Sequence, residues 1–113
     1  VTEARLPTHL WVGAHLRRCS SEAVPAYVLR KGEATGGLVI LRLAKPSGGV
    51  RVLVQARDLD GRLGWMAVLG GDWVEEADAN AYVDRAVARD PDLWVVEIEH
   101  PDGWHPFEGP VFA

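Results

Sequence analysis

Apolar and polar positions fall into clearly different patterns along this chain, and each pattern predicts an element. Residues 38–44 (Leu-Val-Ile-Leu-Arg-Leu-Ala) and 93–99 (Leu-Trp-Val-Val-Glu-Ile-Glu) are nearly unbroken apolar runs. Runs of this kind belong to strands covered on both faces, so both are expected inside a sheet. Residues 50–56 alternate Val50, Val52, Val54 and Ala56 with Arg51, Leu53 and Gln55, and residues 63–69 set Leu63, Trp65, Ala67 and Leu69 on one face. Both read as strands. With a short strand at 26–31 and Gly- and Pro-containing turns at 32–37, 45–49 and 58–61, residues 26–69 are expected to form a four-stranded antiparallel meander. Between 75 and 89, Ala79, Tyr82, Val83, Ala86 and Val87 recur at helical spacing. Acids open that segment, Arg85 and Arg89 close it, and Pro91 forces the stop. Asp72 and Glu75 have the spacing of a capping box for the same helix.

Residues 8–20 carry two patterns at once. Thr8 is placed to cap a helix on which Val12, Leu16 and Cys19 share a face, yet Leu10, Val12, Ala14 and Leu16 also alternate as a strand would. A helix through Ser20 is expected, with a strand leading into a short helix as the alternative. The fold class that results is α+β: a mostly antiparallel sheet of about five strands with a meander, covered by two helices, chiefly by the one at 75–89. Residues 1–113 form a single domain, with 1–7 as an N-terminal arm and 104–113 as an extended C-terminal tail.

Composition narrows the function. The chain has 113 residues, 48% hydrophobic and 25% charged, which suits one soluble globular domain. No apolar stretch approaches the ~20 residues of a membrane span, and no basic-then-apolar leader opens the chain. The formal charge of −4 opposes generic binding to nucleic acid or to an anionic membrane. Cys19 is the single cysteine. It therefore forms no intramolecular disulfide, and a buried thiol in a reducing cytoplasm is expected.

Three pieces of the sequence belong together: residues 5–12 (Arg-Leu-Pro-Thr-His-Leu-Trp-Val), residues 28–32 (Val-Leu-Arg-Lys-Gly) and residues 89–99, with the run Asp90-Pro91-Asp92-Leu93-Trp94 the most specific. In these the chain resembles a family of small bacterial proteins known as domain of unknown function 1491. The likeness spans nearly the whole chain. It implies a bacterial, single-domain, cytoplasmic protein and brings no activity, cofactor or catalytic residue with it.

Candidate chemistry is sparse. The glycine doublets lack the context of a phosphate loop, and Ser20, Ser21 and Ser47 lack that of a nucleophile elbow. Asp58-Leu59-Asp60-Gly61 opens like a calcium loop, but Ala67 stands where the bidentate glutamate belongs, so a hairpin turn is expected. His100 and His105 with Glu97 or Glu99 make a poor zinc set, and no metal, cofactor or catalytic residue is assigned. Tryptophan is the unusual feature, with five residues against two Tyr and two Phe. Trp65 and Trp94 fall in core strands. Trp11 and Trp104 lie near the two ends of the chain, and beside Arg17 or Arg18 they are candidates for a partner surface, the alternative being that they pack on each other or on the core. The expected function is a non-catalytic interaction or regulatory module whose partner is another protein or a second copy. A small-molecule site is the alternative, with Arg30, Gln55 or Glu97 converging on an apolar pocket. A small hydrolase comes third, and it requires a histidine and a carboxylate meeting in a cleft.

Overall fold

The computed structural model describes residues 6–112. They form α1 (Thr8–Ser21), β1 (Ala26–Arg30), β2 (Val39–Ala44), β3 (Val50–Arg57), β4 (Leu63–Ala67), α2 (Glu76–Arg89), β5 (Trp94–Glu99) and β6 (Val111–Phe112). The strands make one sheet in the order β1-β5-β2-β3-β4-β6. Pairing is antiparallel at β1/β5, β2/β3 and β3/β4. It is parallel at β5/β2 and β4/β6.

This corrects the expected topology. The domain is α+β, but its sheet is mixed and six-stranded rather than a mostly antiparallel sheet of about five strands. Only β2, β3 and β4 form a meander, because β5 inserts between β1 and β2. The segment read as a turn at 32–37 does turn at 34–36, but it carries the chain past the start of β5 instead of closing a hairpin. Its glycines make the crossing possible. A β-carbon on Gly32 or Gly37 would overlap the Asp92 carbonyl, so only glycine lets the two backbones pass. Glu33 stiffens the crossing by accepting the N–H groups of Gly36 and Thr35, which hold its carboxyl below the usual range.

Both faces of the sheet are covered, not chiefly one. On one face α1 and the tail bury Val12, Cys19 and Phe107 against Leu41, Leu53, Trp65, Trp94, Val96 and Ile98. On the other, α2 sets Ala79 and Ala86 against Ile40, Val50, Val52 and Leu93. The apolar runs at β2 and β5 thus occupy the middle of the sheet, as their patterns require. Residues 8–20 take the helical alternative, although Thr8 is already inside the helix and donates its hydroxyl to Gly37 O at 2.9 Å instead of capping. The Asp72–Glu75 capping box does not form. Glu75 precedes α2 with no side-chain cap, and Asp72 Oδ1 accepts the N–H of Trp73. The arm expected at 1–7 lies outside the described residues up to position 5, and so does Ala113. The tail ends in β6 beside β4, where Trp65 N–H donates to Pro110 O at 2.8 Å.

Candidate interaction surface

β1 is an edge strand, and its partner β5 fixes which of its backbone groups are used. Glu99 N–H donates to Pro25 O at 2.9 Å. In an antiparallel ladder, hydrogen-bonded pairs alternate with unbonded ones, so Tyr27 pairs with Glu97 while Ala26 and Val28 turn their N–H and C=O groups away from the sheet. A bulge then interrupts the register between Val28 and Arg30. It puts Leu29 and Arg30 together on the α2 side, whereas Val28 lies on the α1 side.

α2 covers β2 and β3 and stops short of β1. The gap is a groove of about 330 Å³ lined by Leu29, Val83, Val87 and Val95, with Arg30 and Asp84 at its polar margin and Arg42 at its floor. Leu29 in the groove and Tyr27 elsewhere on β1 stay about half exposed, at 54% and 47%. A second, more apolar cleft of about 440 Å³ lies on the opposite face of β1, between Val12, Leu16, Val28 and Trp94, with His9 and Lys31 at its mouth. An open edge with an apolar cleft on each side has the form of a site for an added strand, whose side chains alternate between two faces.

Arg42 anchors the groove. It is 4% exposed on the central strand β2. One guanidinium nitrogen donates to Glu97, and the other donates to Glu76 at 3.0 Å and Asn80 at 2.7 Å. These bonds tie β5 and the first turns of α2 to the sheet. The guanidinium is engaged on both terminal nitrogens, so it shapes the groove without reaching for a ligand.

A second cluster lies along the first turns of α1, where Trp11 and His15 meet the tail. Phe107 is buried between Trp11, His15 and Trp65, with ring centroids 4.9, 4.6 and 5.9 Å away. Glu108 receives Trp11 Nε1 at 3.2 Å and lies 3.0 Å from His15 Nε2. Partial burial works to raise the Glu108 carboxyl, but its own backbone N–H, His15 and Trp11 outweigh it and hold the group below its ordinary value. A histidine and a carboxylate do meet, as hydrolysis requires. However, His15 Nδ1 is also taken, by Trp11 O at 2.7 Å, which leaves the ring no free nitrogen to accept a proton from a substrate. Cys19 offers no nucleophile either: it is buried, and that burial pushes its thiol up. The cluster clamps the tail onto α1.

The sequence profile described as "Protein of unknown function (DUF1491)" matches residues 6–108. The chain belongs to the DUF1491 family. The crystal structure of a DUF1491 family protein from Caulobacter crescentus CB15 is 38% identical, covers 96% of this chain and 100% of its own, and superposes with a TM-score of 0.84. The NMR structure of a DUF1491 family protein from the same organism gives 38% identity, coverage of 98% and 100%, and the same TM-score of 0.84. The solution structure of an A. tumefaciens protein is 28% identical, with coverage of 86% and 87% and a TM-score of 0.72. No curated protein matches the chain.

In this DUF1491 chain the residues singled out from sequence do not form one site. Trp11 packs into the aromatic cluster, stacked on Trp65 at 6.2 Å. Trp104 sits apart from it, with the Arg18 guanidinium 5.8 Å from its ring. Arg17 is exposed and lies back over Gly13. Arg30 and Glu97 reach the α2 face, where Arg30 donates to Pro91 O at 3.1 Å and Glu97 is held by Arg42. Gln55 is on the opposite face, its Oε1 accepting Val39 N–H at 3.0 Å, so the expected trio does not converge. Sequence reasoning missed Tyr27, Leu29, Lys31, Arg42 and Asn80. The parallel register that sets Arg42 opposite Glu97 depends on β5 lying beside β2, which no local pattern announces. Among the described residues, no group of three or more His, Cys, Asp or Glu side chains is arranged to hold a metal, and no helix is long and apolar enough to cross a membrane.

Proposed function

We propose that this DUF1491 protein is a non-catalytic interaction or regulatory module of the bacterial cytoplasm that docks another protein along the β1 edge. The observation that carries the reading is the exposure of Tyr27 and Leu29 on an edge strand whose helix cover ends one strand short. An open edge of this kind offers backbone groups for an added strand. The organisms of the similar structures support a bacterial setting, and the lone buried thiol is consistent with a reducing compartment. A second copy at the same edge is the alternative occupant. A small-molecule ligand is the second reading, favoured by a groove volume of about 330 Å³, at the lower end of the roughly 300–1,000 Å³ typical of ligand pockets.

The test is photo-crosslinking in living cells of the organism that encodes the chain, with benzoyl-phenylalanine in place of Leu29 and, as a control, of the exposed turn residue Leu59. A discrete protein adduct at position 29 and none at 59 supports docking, and an adduct of twice the chain's mass identifies a second copy. Equal labelling at the two positions, or none, removes the interaction reading. A metabolite that copurifies with the protein and protects Leu29 from solvent would favour the small-molecule reading instead.

A further inference from the structure

We infer that the occupant of the β1 edge is an extended segment of a different protein, with apolar side chains on both of its faces and an acidic residue on the α1 side. The inference rests on the docking reading above and specifies its chemistry. The outward N–H and C=O groups of Ala26 and Val28 offer hydrogen bonds to an added strand and not to a helix. The clefts then receive its side chains alternately, one against Leu29, Val83 and Val87, the next against Val12, Leu16 and Val28.

Charge decides which side carries the acid. The protein as a whole has a formal charge of −4, yet residues 24–32 contain Arg30 and Lys31 and no carboxylate. Arg30 shares its groove with Asp84, so that side is electrically balanced and suits an apolar side chain. Lys31 shares its cleft with His9 and, among the described residues, with no carboxylate. A carboxylate on the incoming strand gains most there, where it meets a cation that Asp84 does not already balance. A second copy is the weaker occupant on the same grounds, because its own β1 has no acid between Val24 and Gly32 to present to Lys31.

A random dodecapeptide library displayed on phage, selected on the full chain, tests this. The inference expects enriched peptides with a short run of apolar residues on successive positions and an Asp or Glu beside it. Their affinity should fall about tenfold on Lys31→Glu and return when the peptide's acid is exchanged for Lys. Ala26→Pro, which removes an outward donor and no β5 bond, should abolish binding. Lys31→Glu alters an exposed side chain, so it keeps the test decisive should Ala26→Pro fail to fold. Enriched peptides that are indifferent to both variants, or that show helical spacing, overturn the inference. They leave the docking reading standing if the Leu29 adduct persists. A dimer in sedimentation that Lys31→Glu leaves intact and Ala26→Pro dissociates also overturns it, by naming a second copy as the occupant. Loss of both the adduct and the enriched peptides removes the two readings together.

Discussion

Arg42 has almost no solvent contact, and its charge is met by Glu97, whose side chain is itself only 16% exposed. The third partner, Glu76, is 72% exposed and contributes little, since water screens it. Removing one member of a buried pair leaves the other charged and desolvated, which costs more than the pair itself is worth. Arg42→Met is therefore expected to destabilise the fold by about 3–5 kcal/mol. Arg42→Met combined with Glu97→Met should recover most of that loss, because no buried charge remains without a partner. Urea unfolding of the wild type, both single variants and the double variant closes the cycle. A double variant as unstable as the sum of the singles would show that the two side chains act separately. The stretch 38–44 reads as apolar with one interruption, and that interruption turns out to hold α2 in place.

Among the elements, the tail is the one whose attachment responds to pH. His105 lies against Trp65 and Phe107, and among the described residues its buried Nδ1 has no hydrogen-bond partner. Burial first, and then the charges of Arg51 and His15, pull its pKa below the ordinary value. In the unfolded chain the ring protonates near pH ~6.5. Below that pH the unfolded state binds the proton and the folded state resists it, so stability falls as the pH drops from about 6.5 toward the folded pKa. Glu108 works in a separate window. Its folded pKa is lowered, so its contribution is lost only in the acid range below the usual carboxylate value. His105→Phe should flatten the pH dependence of unfolding between neutral and mildly acid pH while keeping the apolar contacts. An unchanged slope would mean that His105 is solvated in the folded protein. Much at this scale was legible in the sequence. The spacing of Ala79, Val83 and Ala86 made α2 plain, and the apolar runs placed β2 and β5 inside the sheet. What could not be read was which strands are neighbours. A local pattern records how a strand is covered, not what lies beside it, and Gly32 and Gly37 look alike in a turn and in a crossing. The site was less legible still. Tyr27 and Leu29 look like ordinary strand residues until the position of α2 leaves them uncovered.

At the scale of the whole molecule, the Cα radius of gyration is 13.5 Å, close to the ~13 Å expected of a compact chain of this length. The two sheet edges are not equal. β6 is two residues long and held by the tail, whereas β1 presents five. Three features keep β1 from pairing freely: Pro25 before it, the bulge at Leu29, and the cations Arg30 at its end and Lys31 just after it. Breaks and charges of this kind are how edge strands avoid joining copies of themselves. An incoming strand from another protein escapes the restriction, because it can carry a residue that matches the bulge and an acid that meets Lys31. The isolated protein is therefore expected to sediment as a 12.4 kDa monomer. Replacing both Arg30 and Lys31 with Val should release self-association through the same edge. If the wild type already sediments at twice the monomer mass and the doubly substituted chain does not differ from it, those cations do not guard the edge.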